Sequence, residues 1–336
     1  MTNKQLVIDT VNHKETAKVP FHVDFSINAK KRMTDYLADP CFEDKYDYSL
    51  DAEAYGWFDE IKKDFFKDEF GVVWNRTGVD KDIGMIEEAV IKDITDYDYS
   101  LPIPDLERFK ISIESMKKKN PDRFKIAAIG FSIYERAWSL MTIPETLEAM
   151  IAHPRELEIL LNRICEFNIK IIDTALSCDV DGVLFGDDWG QQKGMIMGAP
   201  HWRKFIKPHM KKMFDRVKQH GKVVALHSCG DIKDVFPDLI SIGLDIYTTF
   251  QPEIYNIEKV KQEYGYDLTF WGGISTQQFL PYATPDEVKR EAVRIVRIMS
   301  KNGGYIASPT HQVPGDIPAE NIVALMDVFM NQEKYL

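Results

Sequence analysis

Two metal-capable side chains, His227 and Cys229, stand one residue apart in the stretch Val223-Val224-Ala225-Leu226-His227-Ser228-Cys229-Gly230. Four apolar residues in a row read as a strand buried on both faces. Side chains alternate in extended geometry, so positions i and i+2 project to the same side. His227 and Cys229 can therefore converge on one point just past the strand end, where Gly230 lets the chain turn. Imidazole with thiolate is a familiar zinc pair, although His-x-Cys alone is only a two-ligand fragment. His311, in Ile306-Ala307-Ser308-Pro309-Thr310-His311-Gln312, sits past another strand end. With it the set has three protein ligands and leaves a fourth zinc position open, the catalytic arrangement. The alternative for His311 is a hydrogen-bonding role in a substrate pocket.

Other chemistry-bearing residues fall at similar places. Gly186-Asp187-Asp188-Trp189-Gly190-Gln191 carries two adjacent carboxylates with an indole and an amide. Such groups are costly to bury unpaired. Asp187 and Asp188 could orient a substrate or work as acid and base; otherwise they pair with a basic side chain or cap the following helix. Trp189, Gln191, Gln251 and Trp271 offer flat walls and neutral donors and acceptors to a substrate, and Tyr134 follows a strand at its exit. His22 and Asp24 alternate with apolar residues and share a face. They either point into a pocket or hydrogen-bond each other. No Gly-x-Gly-x-x-Gly or phosphate-loop pattern occurs.

The elements that position these residues alternate. Strand-like segments lie near 21, 126, 183, 224, 247, 269 and 306, separated by helical patterns such as 135–152, 155–177 and 202–220, which implies a parallel sheet. An open doubly wound sheet gathers ligand contacts at one switch point. Here nearly every strand exit is polar, which suits a closed α/β barrel with loops ringing one mouth. Residues 28–118 are less regular, include a hairpin-like stretch around 69–76, and read as an N-terminal insertion covering one end of a single domain.

Composition narrows the function classes. The 336 residues carry a net charge of −11, which disfavours nucleic acid and anionic membranes as partners. No apolar run is long enough to span a bilayer and no apolar leader follows Met1, so a cytoplasmic protein is expected. Four scattered cysteines argue against a disulfide framework.

The phrases His13-Lys14-Glu15 with Val19-Pro20-Phe21, Gly186-Asp187-Asp188, His227-Ser228-Cys229-Gly230, Phe270-Trp271-Gly272-Gly273-Ile274, and Pro309-Thr310-His311 through Pro318-Ala319-Glu320-Asn321 together resemble the uroporphyrinogen decarboxylase superfamily. The resemblance covers nearly the whole chain and implies a (β/α)8 TIM barrel. That superfamily holds cofactor-free decarboxylases and zinc-dependent methyltransferases that work with corrinoid proteins. The decarboxylase branch binds its polycarboxylate substrate through an Arg-rich N-terminal segment. The matching residues 21–29 here hold no Arg and add Asp24, so each substrate carboxylate would be buried without a cation, which is costly.

The methyltransferase branch follows its His-x-Cys with a further Cys far downstream. No Cys follows Cys229, and His311 is the nearest replacement. One His with two thiolates makes a neutral zinc site, whereas two His with one thiolate leave it positive and a better Lewis acid. The resemblance thus implies transfer of a methyl group from a small methoxylated donor to the cobalt (cobalamin) of a separate corrinoid protein. Zinc on His227, Cys229 and His311 would take charge from the leaving oxygen, Asp187 or Asp188 would supply the proton, and Tyr134, Gln251 and Trp271 would shape the pocket. The alternative is a decarboxylase without cofactor. A homodimer is compatible with either.

Overall fold

A computed structural model describes residues 1–78, 84–96 and 99–336. The chain is an α/β protein with a seven-stranded main sheet: β1 (Leu50–Tyr55), β2 (Phe124–Ile129), β3 (Gly182–Gly186), β4 (Val223–His227), β5 (Ile246–Phe250), β6 (Thr269–Ile274) and β7 (Tyr305–Pro309). The helices that matter below are α1 (Asn3–Val11), α2 (Tyr134–Met141) and α3 (Ile257–Tyr264). Two compact units divide the chain. The first holds Met1–Asp51, Asn120–Lys125 and Asp245–Leu336, and the second holds Ala52–Lys119 and Ile126–Leu244.

In the second unit β3 lies between β2 and β4, parallel to both, with Val183 opposite Ala127 and Val224. Val183, Phe185, Val224 and Leu226 are fully buried, as unbroken apolar runs in a parallel sheet require. Residues 58–62, 65–68, 73–75 and 85–88 add a four-stranded antiparallel sheet, which includes the expected hairpin. Asp68 fastens it. Its carboxylate accepts N–H groups from Phe70, Val72 and the Trp74 indole, and pairs with Arg136 of α2 at 2.9 Å. Both charged side chains are almost fully buried. Asp68→Ala leaves the Arg136 charge unpaired, and an equilibrium denaturation curve should show a loss of about 3–5 kcal/mol.

The first unit carries β5, β6 and β7 in parallel pairing. The expected strand at 18–25 is not continuous. Phe21 and Phe25 form isolated parallel bridges to Ala307 and Val313, because Asp24 turns its carboxylate onto the N–H of Phe25. A local side-chain acceptor of this kind competes with a sheet ladder. The strand that sequence periodicity missed is β1, inside the irregular region. Only Leu50 and Tyr55 at its ends are buried, so no alternation marks it. Among the described residues the sheet therefore has seven strands: six of the seven expected ones and β1, with the segment at 21–25 contributing only its two bridges. The helix expected over 135–152 is two helices, parted at Thr142 with φ +136°.

Candidate functional site

In the second unit, β4 delivers His227 and Cys229 as the alternation of an extended chain demands. His227 Nε2 and Cys229 Sγ lie 3.6 Å apart. Two ligands of one tetrahedral zinc, at about 2.05 Å for nitrogen and about 2.3 Å for sulfur, stand about 3.6 Å apart. The pair therefore fits a shared metal. The surroundings fit too: burial and the neighbouring carboxylates of Asp188 and Glu135 push the Cys229 thiol up. Such a field holds the sulfur protonated unless a cation reverses it.

Two loops, after β3 and after β4, are laced together to hold this pair. Gly190 N–H donates to the Cys229 carbonyl at 3.1 Å, Asp231 N–H to Gln191 at 2.9 Å and Asp187 N–H to His227 at 3.0 Å. Cys229 N–H donates to Asp188 Oδ1 at 2.7 Å and Trp189 N–H to Ser228 Oγ at 3.1 Å. The contact is backbone on backbone. A Cβ on Gly230 would lie 2.2 Å from the Gly190 carbonyl carbon, and Gly230 has φ +79°. Gly230→Ala should push Cys229 out of line and cost about 10–100-fold in zinc affinity, the usual effect of losing ligand support. A competition titration with a chromogenic chelator measures it.

The acidic pair divides. Asp187 is fully buried and accepts N–H groups from Ile133 (3.3 Å), Tyr134 (3.0 Å) and Glu135 (2.8 Å), and from the Trp189 indole (2.7 Å). It thus caps α2, which has no capping side chain of its own. Burial pushes its carboxyl up to about 6 against the pull of those donors. Asp188 is about one-third exposed, 3.9 Å from His227 Nε2. Glu135, in the first turn of α2, is a residue that sequence reasoning missed. Burial first, then Asp188 and Asp187, raise its carboxyl well above the usual range, while the Asp188 backbone N–H pulls it down. Its only sequence signal was its place two residues after the Ser132-Ile133 exit of β2.

Tyr134 is buried with its hydroxyl unpartnered among the described residues. Trp189 is fully buried, edge to face with Trp202 at 5.2 Å, so its ring packs the core. Gln191 is exposed.

In the first unit, His311 is exposed in the loop that follows β7. That loop is anchored on each side. Thr310 N–H donates to Ile274, Thr310 Oγ1 meets Thr276 Oγ1 at 3.0 Å, and Gln312 Nε2 donates to Asp24 Oδ2 at 3.1 Å. The bridges at Phe21 and Phe25 bracket the same loop. Asp24 is exposed, and its carboxylate accepts the N–H of Phe25 and a hydrogen bond from Gln312 Nε2. His22 packs between Tyr48 (5.6 Å) and Trp271 (5.5 Å), and burial lowers its pKa despite Asp24 and Asp51. Trp271 and Gln251 are both buried. Gln251 follows a bulge at Thr249, which has φ +65° beside Gly272.

The model of the uroporphyrinogen decarboxylase (URO-D) family matches residues 79–331. Among curated proteins, a uroporphyrinogen decarboxylase of Vesicomyosocius okutanii is 24% identical over 64% of this chain, which spans 62% of that relative. One from Mannheimia succiniciproducens is 20% identical over 70% of this chain and 68% of its own. Among solved structures, a methyltransferase from Methanosarcina mazei covers all of both chains with TM-score 0.73 at 18% identity, a likeness of fold. No described helix is long and apolar enough to cross a membrane. With the β3, β4 and β7 exits all inside the matched span, the chain belongs to the uroporphyrinogen decarboxylase family.

Proposed function

We propose that the protein is a zinc-dependent methyltransferase, moving a methyl group from a small methoxylated donor to the cobalt of a separate corrinoid protein. The observation that carries this reading is the 3.6 Å spacing of His227 Nε2 and Cys229 Sγ, which suits two ligands of one zinc. His311 is the proposed third ligand. The chemistry that zinc supplies when bound there is Lewis-acid withdrawal of charge from the donor's ether oxygen.

The chain's own residues do the rest. Asp188 is open enough to exchange protons with water and hands one to the oxygen left when the methyl group departs. The C–O bonding pair would stay with the departing oxygen, and the methyl group would be taken up by a reduced corrinoid cobalt able to supply the new pair. Glu135, whose carboxyl burial raises well above the usual range, stands behind Asp188 as a second carboxyl. Asp187 positions both through its cap on α2. His22, Tyr134, Gln251 and Trp271 are proposed to shape the donor's pocket, with Asp24, Trp189 and Gln191 supporting the loops around it. A homodimer remains compatible with this scheme.

The second reading, a cofactor-free decarboxylase, draws on the names of the curated relatives. Against it stands the stretch Phe21–Ala29, which has no Arg to pair with a polycarboxylate. One assay separates them. Zinc-loaded protein is mixed with reduced cobalamin and a series of methoxybenzenes, and the cobalt spectrum is followed. Zinc-dependent formation of methylcobalamin is expected. Release of carbon dioxide from a carboxylated tetrapyrrole, with no methyl transfer, would establish the second reading.

A further inference from the structure

The motif His13-Lys14-Glu15 takes no part in the proposed chemistry, yet His13 has the most constrained setting of the N-terminal segment. It follows α1 with φ +54°, a left-handed backbone that is uncommon for any residue with a Cβ. Its N–H donates to Thr10 at 3.0 Å, and Gly304 N–H donates to the same Thr10 carbonyl at 2.9 Å. The end of α1 is thereby tied to the entry of β7.

Gly303 and Gly304 form the cradle. A Cβ on Gly304 would lie 2.7 Å from His13 Nδ1, and one on Gly303 would lie 2.7 Å from the His13 carbonyl carbon. The ring thus fills the space that a side chain on β7's entry would take. Its Nδ1 is shut off from solvent and makes no hydrogen bond of good geometry among the described residues, the Gly265 carbonyl being the acceptor that favours a proton on the ring. The residue as a whole is half-buried, and a proton on the ring loses part of its hydration there.

The charges around the ring do not relieve this. Lys261, on α3, opposes a second positive charge, and it is fixed nearby by a 2.7 Å bond from Nζ to the Gly303 carbonyl. Asp267, after α3, and Asp245, before β5, favour the charge, as does the Gly265 carbonyl. Burial and Lys261 outweigh them, and the His13 pKa falls below 6.5. Burial also brings Lys261 down to about 8, so its charge is present at the acid pH values where His13 titrates.

We propose that His13 is an acid-labile latch, which fastens α1 to the Gly303-Gly304 entry of β7 and lets it go when the ring takes up a proton. The sign follows from linkage. A group whose pKa is lowered by folding gives stability that is present above its unfolded value. That stability is lost as pH falls, because the unfolded segment binds the proton more tightly. The window therefore opens below pH 6.5.

Hydrogen exchange on the full chain at pH 7.5 and pH 5.0, corrected for intrinsic rates, tests the latch. In the wild type, amides of residues 3–14 should lose protection at pH 5.0 relative to pH 7.5, while β3 and β4 keep theirs. His13→Gln, which cannot titrate, should show equal protection of that segment at both pH values. Unchanged protection of residues 3–14 in the wild type would overturn the proposal, whether or not the variant folds. The same acid loss persisting in His13→Gln would overturn it as well, because the effect would then belong to another group.

Discussion

Cys229→Ala is expected to purify folded and with less than about a tenth of a zinc per chain, against about one in the wild type. An open site with three protein ligands loses a large share of its binding free energy with any one of them. The loss of the thiolate is the most severe case. It removes the one negative ligand, and two neutral imidazoles then face the metal alone. The fold should survive because Cys229 contributes to its loop through its backbone. The N–H held by Asp188 and the carbonyl held by Gly190 both remain in the alanine variant. Metal analysis with circular dichroism on one preparation checks both halves. Full zinc occupancy in the variant would remove Cys229 from the site.

The two adjacent aspartates are expected to fail in opposite ways. Asp188→Asn keeps an oxygen for the Cys229 N–H but cannot deliver a proton. Turnover should fall by roughly 10²–10⁴, the span of general acid catalysis, with stability little changed. Asp187→Ala strands three N–H groups at the start of α2 and the Trp189 indole, all but the Glu135 N–H fully buried. Each buried donor left unsatisfied costs about 1–3 kcal/mol, and some relaxation is available, so a total loss of about 3–5 kcal/mol is expected. Urea denaturation and steady-state kinetics on both variants separate the roles. Equal kinetic losses with equal stabilities would return the pair to a shared function.

How much of this was legible depended on range. His227 and Cys229 could be read because their relation is set by two residues of extended chain, and β4 supplies that geometry. The strand exits could be read for the same local reason. Asp187 could not, since the helix it caps begins more than fifty residues earlier, and only the pairing of β2 with β3 brings them together. The expectation that it might cap the helix following it named the right kind of bond at the wrong end of the chain. Glu135 was hidden inside a helical pattern, where an acidic residue in the first turn is ordinary. Gly190 read as a loop residue, whereas its need for a missing Cβ arises from Gly230 in the loop after β4. The segment at 21–25 was misjudged because Asp24 diverts the ladder, and β1 was missed because its middle residues are only partly buried.

The central claim is that one zinc sits on one sulfur and two imidazole nitrogens. X-ray absorption at the zinc edge on stoichiometrically loaded wild-type protein tests it most directly. The expected first shell has a single sulfur at about 2.3 Å and lighter ligands at about 2.0–2.1 Å, with outer-shell scattering from two imidazoles. In His311→Cys the sulfur count should rise from one to two at unchanged zinc content. A wild-type shell without sulfur, or protein that takes up no zinc, would contradict it.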